Sequence, residues 1–162
     1  MKPLITSLFL FTFLSNTVVA QEEPMMISTK RLSLTTATTF AQGAIAECTK
    51  RGIQIAATVV DREGIVQVTL RDTIAAQITV PISRDKAYTA ANFNSATSAM
   101  ADRADSPIGR QPHLIMSAGG LPIHVGGALV GAVGVSGAPS GVTDEECAQA
   151  GINTVQDDLE MM

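Results

Sequence analysis

Glycines recur at every third position of LVGAVGVSGAPSG, the stretch that spans residues 129–141. Gly131, Gly134 and Gly137 raise the question of a phosphate-binding loop, in which the backbone N–H groups of a glycine-rich turn hold an anion where a helix begins. The spacing is GxxGxxG rather than GxGxxG, no GK[S/T] follows, and valines separate the glycines. Because valine favours strands, we predict a strand whose glycines let another backbone or a flat ligand approach closely.

The two histidines, His113 and His124, are the residues most typical of metal coordination. A predicted turn lies between them, so on adjacent antiparallel strands their side chains could face each other. No H-E-x-x-H motif, neighbouring cysteine or cluster of acids supports a zinc site. Two interpretations therefore stay open: a His-based metal site, or one surface histidine and one edge-strand histidine.

Motifs of covalent catalysis are missing from the sequence. There is no G-x-S-x-G nucleophile elbow, and the carboxylates of Asp61 and Glu63 fall in a predicted turn, where polar residues are expected in any case. An enzymatic role is thus disfavoured and left uncertain.

The composition indicates one domain with a proper core. The chain has 162 residues, 46% of them hydrophobic and 16% charged, and a formal net charge of −4. Lys and Arg are scattered rather than clustered, so no nucleic-acid partner is expected.

Residues 1–20 have the three-part pattern of a signal peptide. Lys2 is followed by the apolar run LITSLFLFTFL, and Val18 and Ala20 precede a small-residue cleavage position. The run is too short to span a membrane, and no membrane insertion is expected. We predict export to the periplasm or beyond the cell, a flexible leader at 21–32, and a single domain at 33–162.

The two cysteines, Cys48 and Cys147, fall on the first and last predicted helices. In an oxidising compartment they could form a disulfide if those helices pack side by side. Two separate buried thiols are the alternative.

Hydrophobic periodicity predicts an α+β domain. Helices are expected from Ser33 to Gly52, from a cap at Ser83 to about residue 104, and after a capping box at Thr143 and Glu146. Strands are expected in a hairpin around DREG, at residues 113–117, and on both sides of Gly126-Gly127. The prediction is a mainly antiparallel sheet of about five strands covered by helices.

The chain contains, in order, the segments VVDREGIVQVTLRD, SRDKAYTAANF and GGLPIHVGGALVGAVGVSGAPSGVTDEECAQAGI. In combination they resemble the GlcG/HbpS family of heme-binding proteins, which also forms the C-terminal domain of PduO-type proteins. The resemblance runs from about residue 32 to residue 154. It implies a profilin-like sandwich, assembly into homo-oligomers, and heme as the cofactor.

The same resemblance implies that Thr89, in the K-A-x-T-A motif, contacts the heme iron. Lys86 would then pair with a propionate, while Tyr88 and Phe93 would pack on the macrocycle. A phenolate at Tyr88 is an alternative ligand, as are His113 and His124.

The function expected from the sequence is an exported heme-binding protein that acts in heme scavenging or redox sensing. The alternative is an exported, non-enzymatic module that binds a small organic acid such as a hydroxy acid. A heme-degrading activity stays open because a bound heme can itself carry chemistry.

Overall fold

The computed structural model describes residues 24–161. The predicted signal peptide at 1–20 and the first three residues of the predicted leader lie outside the described residues. The elements follow in this order: α1 (Leu34–Lys50), β1 (Ala56–Asp61), β2 (Val66–Arg71), α2 (Thr79–Phe93), a 3₁₀ segment (Thr97–Arg103), β3 (Gly120–Val125), β4 (Ala128–Ser136), α3 (Gly141–Asn153) and α4 (Gln156–Glu160).

The α+β class is confirmed, with a four-stranded sheet in the order β2-β1-β4-β3 and every neighbouring pair antiparallel. The expected number of about five strands was wrong, because residues 113–117 form no strand. In that segment the N–H of Ile115 donates to the Thr89 hydroxyl at 2.9 Å. This backbone N–H is thus bonded to a side chain of α2 and is not available to pair with a neighbouring strand.

Side chains of the two central strands alternate between two packed faces. Ala57 and Val59 of β1 belong to the main apolar cluster, which α1 and α3 complete. Val60 and Ala132 face the other way and pack with the alanines of α2. The sheet therefore lies between the α1–α3 layer and α2.

Helices α1 and α3 lie side by side and are joined by a disulfide between Cys48 and Cys147. The two Cα atoms are 5.7 Å apart and both residues are fully buried. A Cβ at Gly151 would overlap the carbonyl oxygen of Phe40, so glycine permits this close approach. Ser33 caps α1 as expected and accepts from the Thr36 N–H.

Helix α2 begins one turn earlier than its predicted cap. Ser83 lies inside the helix and is fully buried, where its hydroxyl donates to the Val80 carbonyl and contacts Thr58. Pro81 falls in the first turn, where its missing N–H would have no intrahelical acceptor. The helix ends at Asn94, which is left-handed at φ 48°, rather than near residue 104.

The glycine-rich stretch is a strand, as its valines predicted. It forms β4, and a Cβ at Gly134 would overlap the Ser83 carbonyl while one at Gly131 would overlap the Val60 carbonyl. The glycines therefore allow α2 and β1 to pack against this strand.

The last predicted helix is divided and capped differently. Ser140, rather than Thr143, accepts the capping bond, from the Thr143 N–H at 3.1 Å. Helix α3 therefore starts at Gly141, directly after this cap. Residues 156–160 form the separate helix α4.

Residues 24–31 are exposed and form no helix or strand, whereas Leu32 is buried in the main cluster. The packed structure thus begins within the leader predicted for residues 21–32. Across the described range 24–161, no helix has both the length and the apolar character needed to cross a membrane.

Candidate functional site

A cleft of about 270 Å³ opens beside the middle of α2. Its walls come from α2, from the β1–β2 turn and from the segment before β3. The lining residues are Gly64, Arg84, Asp85, Tyr88 and His113. Two of the residues that the sequence singled out, Tyr88 and His113, thus lie in one cleft.

The turn at Gly64 is fitted against the Tyr88 ring. Gly64 has φ 83°, and a Cβ there would come within 2.8 Å of Tyr88 Cδ2. The Asp61 carboxylate holds the turn by accepting from the N–H groups of Glu63 and Ile65 at 3.0 and 2.9 Å. The DREG turn predicted from sequence therefore shapes one wall of the cleft.

The Nδ1 atom of His113 lies near Arg84 and Asp85. Arg84 Nη2 lies 3.2 Å and Asp85 Oδ2 3.5 Å from that nitrogen, and Arg84 also forms an ion pair with Asp85 at 2.7 Å. Arginine only donates, so the Arg84 contact needs an unprotonated Nδ1, whereas the Asp85 contact needs a protonated one. When Nδ1 carries the proton, Asp85 orients the ring and Nε2 is left to bind a ligand.

Thr89 lies behind the cleft and is fully buried. Its hydroxyl donates to the Asp85 carbonyl at 2.7 Å and accepts from the Ile115 N–H at 2.9 Å. The hydroxyl thus serves to hold the segment that carries His113 against α2.

Lys86 points to the far side of α2. Its ammonium donates to Asp144 Oδ2 at 2.8 Å and to the Val135 carbonyl at 3.1 Å, and both side chains of the ion pair are 5% exposed. Burial raises the pKa of Asp144, and the bonds from Lys86 and the Ala138 N–H oppose that effect. The pair ties α2 to the start of α3.

Phe93 and His124 lie away from the cleft. Phe93 has the Arg103 guanidinium 5.3 Å from its ring centroid. His124 Nε2 lies 2.7 Å from Asn94 Oδ1 at the end of α2. The structure therefore does not bring the two histidines to one site, and residues 24–161 contain no group of three or more His, Cys, Asp or Glu placed to hold a metal.

Sequence reasoning missed Asp85 in the cleft and Asp144 behind it. Arg84 and Tyr88 are one helical turn apart, a spacing that could have placed both at one surface. No local pattern pairs Asp144 with Lys86, because they are 58 positions apart.

The chain is a small α+β domain with a cleft beside α2. The chain belongs to the HbpS-like family: the model described as "Haem degrading protein HbpS-like" matches residues 32–153. No curated protein matches the chain.

Solved structures agree with this membership. A double mutant of Streptomyces reticuli HbpS is 34% identical, with 87% of this chain and 98% of that chain covered and a TM-score of 0.77. The Klebsiella pneumoniae protein ORFY is 24% identical, with 82% of this chain and 96% of that chain covered and a TM-score of 0.76. A PduOC:heme complex is also 24% identical, with 76% of this chain and 94% of that chain covered and a TM-score of 0.71. At 24% identity, these last two structures show the fold alone.

Proposed function

We propose that this chain is an exported heme-binding protein. The observation that carries the proposal is a cleft with a phenol, an imidazole and a guanidinium, Tyr88, His113 and Arg84, in a chain of the HbpS-like family. The family description concerns heme, and one protein of this fold has a structure as a heme complex.

The residues of the cleft fit the needs of a heme. A Tyr88 phenolate or His113 Nε2 would ligate the iron, and the half-exposed Arg84 would pair with a propionate. We assign these roles there rather than to Thr89 and Lys86, because the latter two are buried and bonded within the chain. When bound, the heme would supply one-electron redox chemistry.

The volume of the cleft bears on how a heme would sit. Pockets that enclose drug-sized ligands measure roughly 300–1,000 Å³, and this one measures about 270 Å³. The cleft would therefore hold one edge of the macrocycle and leave the rest uncovered. The exposed part of the macrocycle would leave room for a second copy of the chain, as in the expected homo-oligomer.

Export is supported by the signal-peptide pattern at residues 1–20 and by the bridge between Cys48 and Cys147. Disulfides persist in oxidising compartments such as the periplasm or the extracellular space. There, a loosely held heme suits scavenging or redox sensing. Heme degradation is a further role that the family description supports.

The cleft also suits the alternative of a small organic acid. It is small, and the Arg84 guanidinium would pair with the carboxylate of a hydroxy acid. This ligand would fit inside the cleft without a second subunit.

Titration of the purified protein with hemin tests the main proposal. We expect a saturable Soret shift with a defined stoichiometry. A linear, non-saturating change would overturn heme binding. Thermal stabilisation by a hydroxy acid beyond a matched salt control would then identify the small-acid alternative.

A further inference from the structure

A second cavity, of about 280 Å³, lies at the opposite part of the fold from α2. It is enclosed by the chain segment before α1, by the β3–β4 hairpin and by α4. Its lining residues are Lys30, Arg31, Leu32, Val125, Val130 and Leu159. None of them lines the heme cleft.

The floor of this cavity is continuous with the main core. Leu32 and Val130 are buried members of the main cluster, and Val125 and Leu159 pack against it. An alkyl chain placed here would contact four aliphatic side chains, and its apolar surface would be removed from water. At about 30 Å³ per water molecule, the cavity has the volume of roughly nine water molecules, which suits a short alkyl chain.

Two basic side chains, Lys30 and Arg31, lie at the rim of the cavity. Arg31 forms ion pairs with Asp61 and Glu63 at 3.1 and 3.0 Å. Within residues 24–161, Lys30 forms no ion pair, so its ammonium is available to an anion. Helix α4 also carries Glu160, whose two oxygens accept from Gln156 and from the Gly126 N–H.

We propose that this cavity is a binding site for a medium-chain fatty acid, with the alkyl chain on Leu32, Val125, Val130 and Leu159 and the carboxylate on Lys30. The apolar floor recognises the alkyl chain, and the Lys30 ammonium recognises the head group. The site is separate from the heme cleft and does not depend on heme binding.

Calorimetric titration of the purified protein with sodium octanoate tests the proposal. We expect saturable binding of octanoate, no detectable binding of acetate, which lacks the chain, and weaker binding of 1-octanol, which lacks the charge. Lys30→Gln should weaken the binding of octanoate about fivefold, which is the upper end of the range for an exposed ion pair. Lys50→Gln is the matched control, because Lys50 is an exposed lysine on α1, and it should bind like the wild type.

Leu159→Glu provides a second variant. Leu159 is only partly buried on a short terminal helix, so the fold should persist by circular dichroism while octanoate binding is lost to charge repulsion and a polar floor. Octanoate should leave the hemin titration unchanged. Equal binding of octanoate and octanol, unaltered binding by Lys30→Gln, or competition with hemin would overturn the proposal.

Discussion

The Lys86 ammonium lies 2.8 Å from the Asp144 carboxylate, inside the protein and across the gap between α2 and α3. A Cβ at Gly119 would come within 2.6 Å of Lys86 Nζ and 2.9 Å of Asp144 Cβ. The pair is thus enclosed by backbone, and its role is to fix the helix that carries the cleft.

Lys86→Met should destabilise the protein by about 3 kcal/mol at neutral pH, because it leaves a buried carboxylate without its cation. Urea unfolding measures this change. The double variant Lys86→Met/Asp144→Leu should recover most of the loss, since it removes the stranded charge. Lys50→Met, at the exposed ion pair with Glu47, should cost less than about 1 kcal/mol. An equal loss in both single variants would contradict the structural role of Lys86.

The free energy of unfolding should include a pH-dependent contribution from Asp144. Burial raises the pKa of this carboxyl, so the folded protein takes up its proton more readily than the unfolded chain does. The contribution of Asp144 is therefore fully present below its unfolded pKa and is lost as the pH rises through the higher folded value. Urea unfolding from about pH 3 to about pH 7 should show this falling component in the wild type.

Two variants isolate that component. Asp144→Asn should remove it, because the amide does not titrate. Lys86→Met should enlarge it and extend it to higher pH, because the Lys86 bond is the largest effect that lowers the pKa of Asp144. If all three proteins show the same dependence on pH, Asp144 does not titrate differently in the folded state.

The disulfide should contribute strongly to stability. It closes a loop between residues 99 positions apart, for which chain entropy predicts about 4.7 kcal/mol. Cys48→Ala/Cys147→Ala should lose about that amount in urea unfolding under oxidising conditions. Under reducing conditions the wild type should lose a similar amount while the variant stays unchanged. A wild type that is insensitive to reductant after full unfolding and refolding would refute this contribution.

Variants in the cleft should separate the candidate iron ligands. The variant that removes the iron ligand, either Tyr88→Phe or His113→Ala, should weaken hemin binding at least about tenfold, which is equivalent to about 1.4 kcal/mol. The Soret maximum of the variant should move as well, because the axial ligand changes. His124→Ala is the matched control, since this histidine contacts Asn94 outside the cleft. If only His124→Ala weakens hemin, the cleft is not the heme site.

Much of the fold follows from local patterns in the sequence. Alternation along Ile55, Ala57 and Val59 identified the residues that face the main apolar cluster, and the DREG turn identified the hairpin. Valines among the glycines excluded a nucleotide loop in favour of β4. Such signals are readable because the strand period and the turn geometry depend on neighbouring residues.

The errors arose where distant contacts outweigh local preference. Ser83 is a good helix cap by type, yet it is buried against Thr58 of β1. Residues 113–117 have a strand-like composition, but Thr89 takes their backbone bond. Propensity contains no information about such partners.

The sequence by itself determined the α+β class, the family, the β4 strand and the types of side chain available for a ligand. Only the tertiary structure decided which of these face a ligand: it placed Tyr88 and His113 in one cleft with Asp85, and turned Lys86 toward Asp144. The reason is physical. Whether a polar side chain meets solvent, a ligand or a buried partner depends on residues far away in the chain, which come into contact only when the helices pack on the sheet.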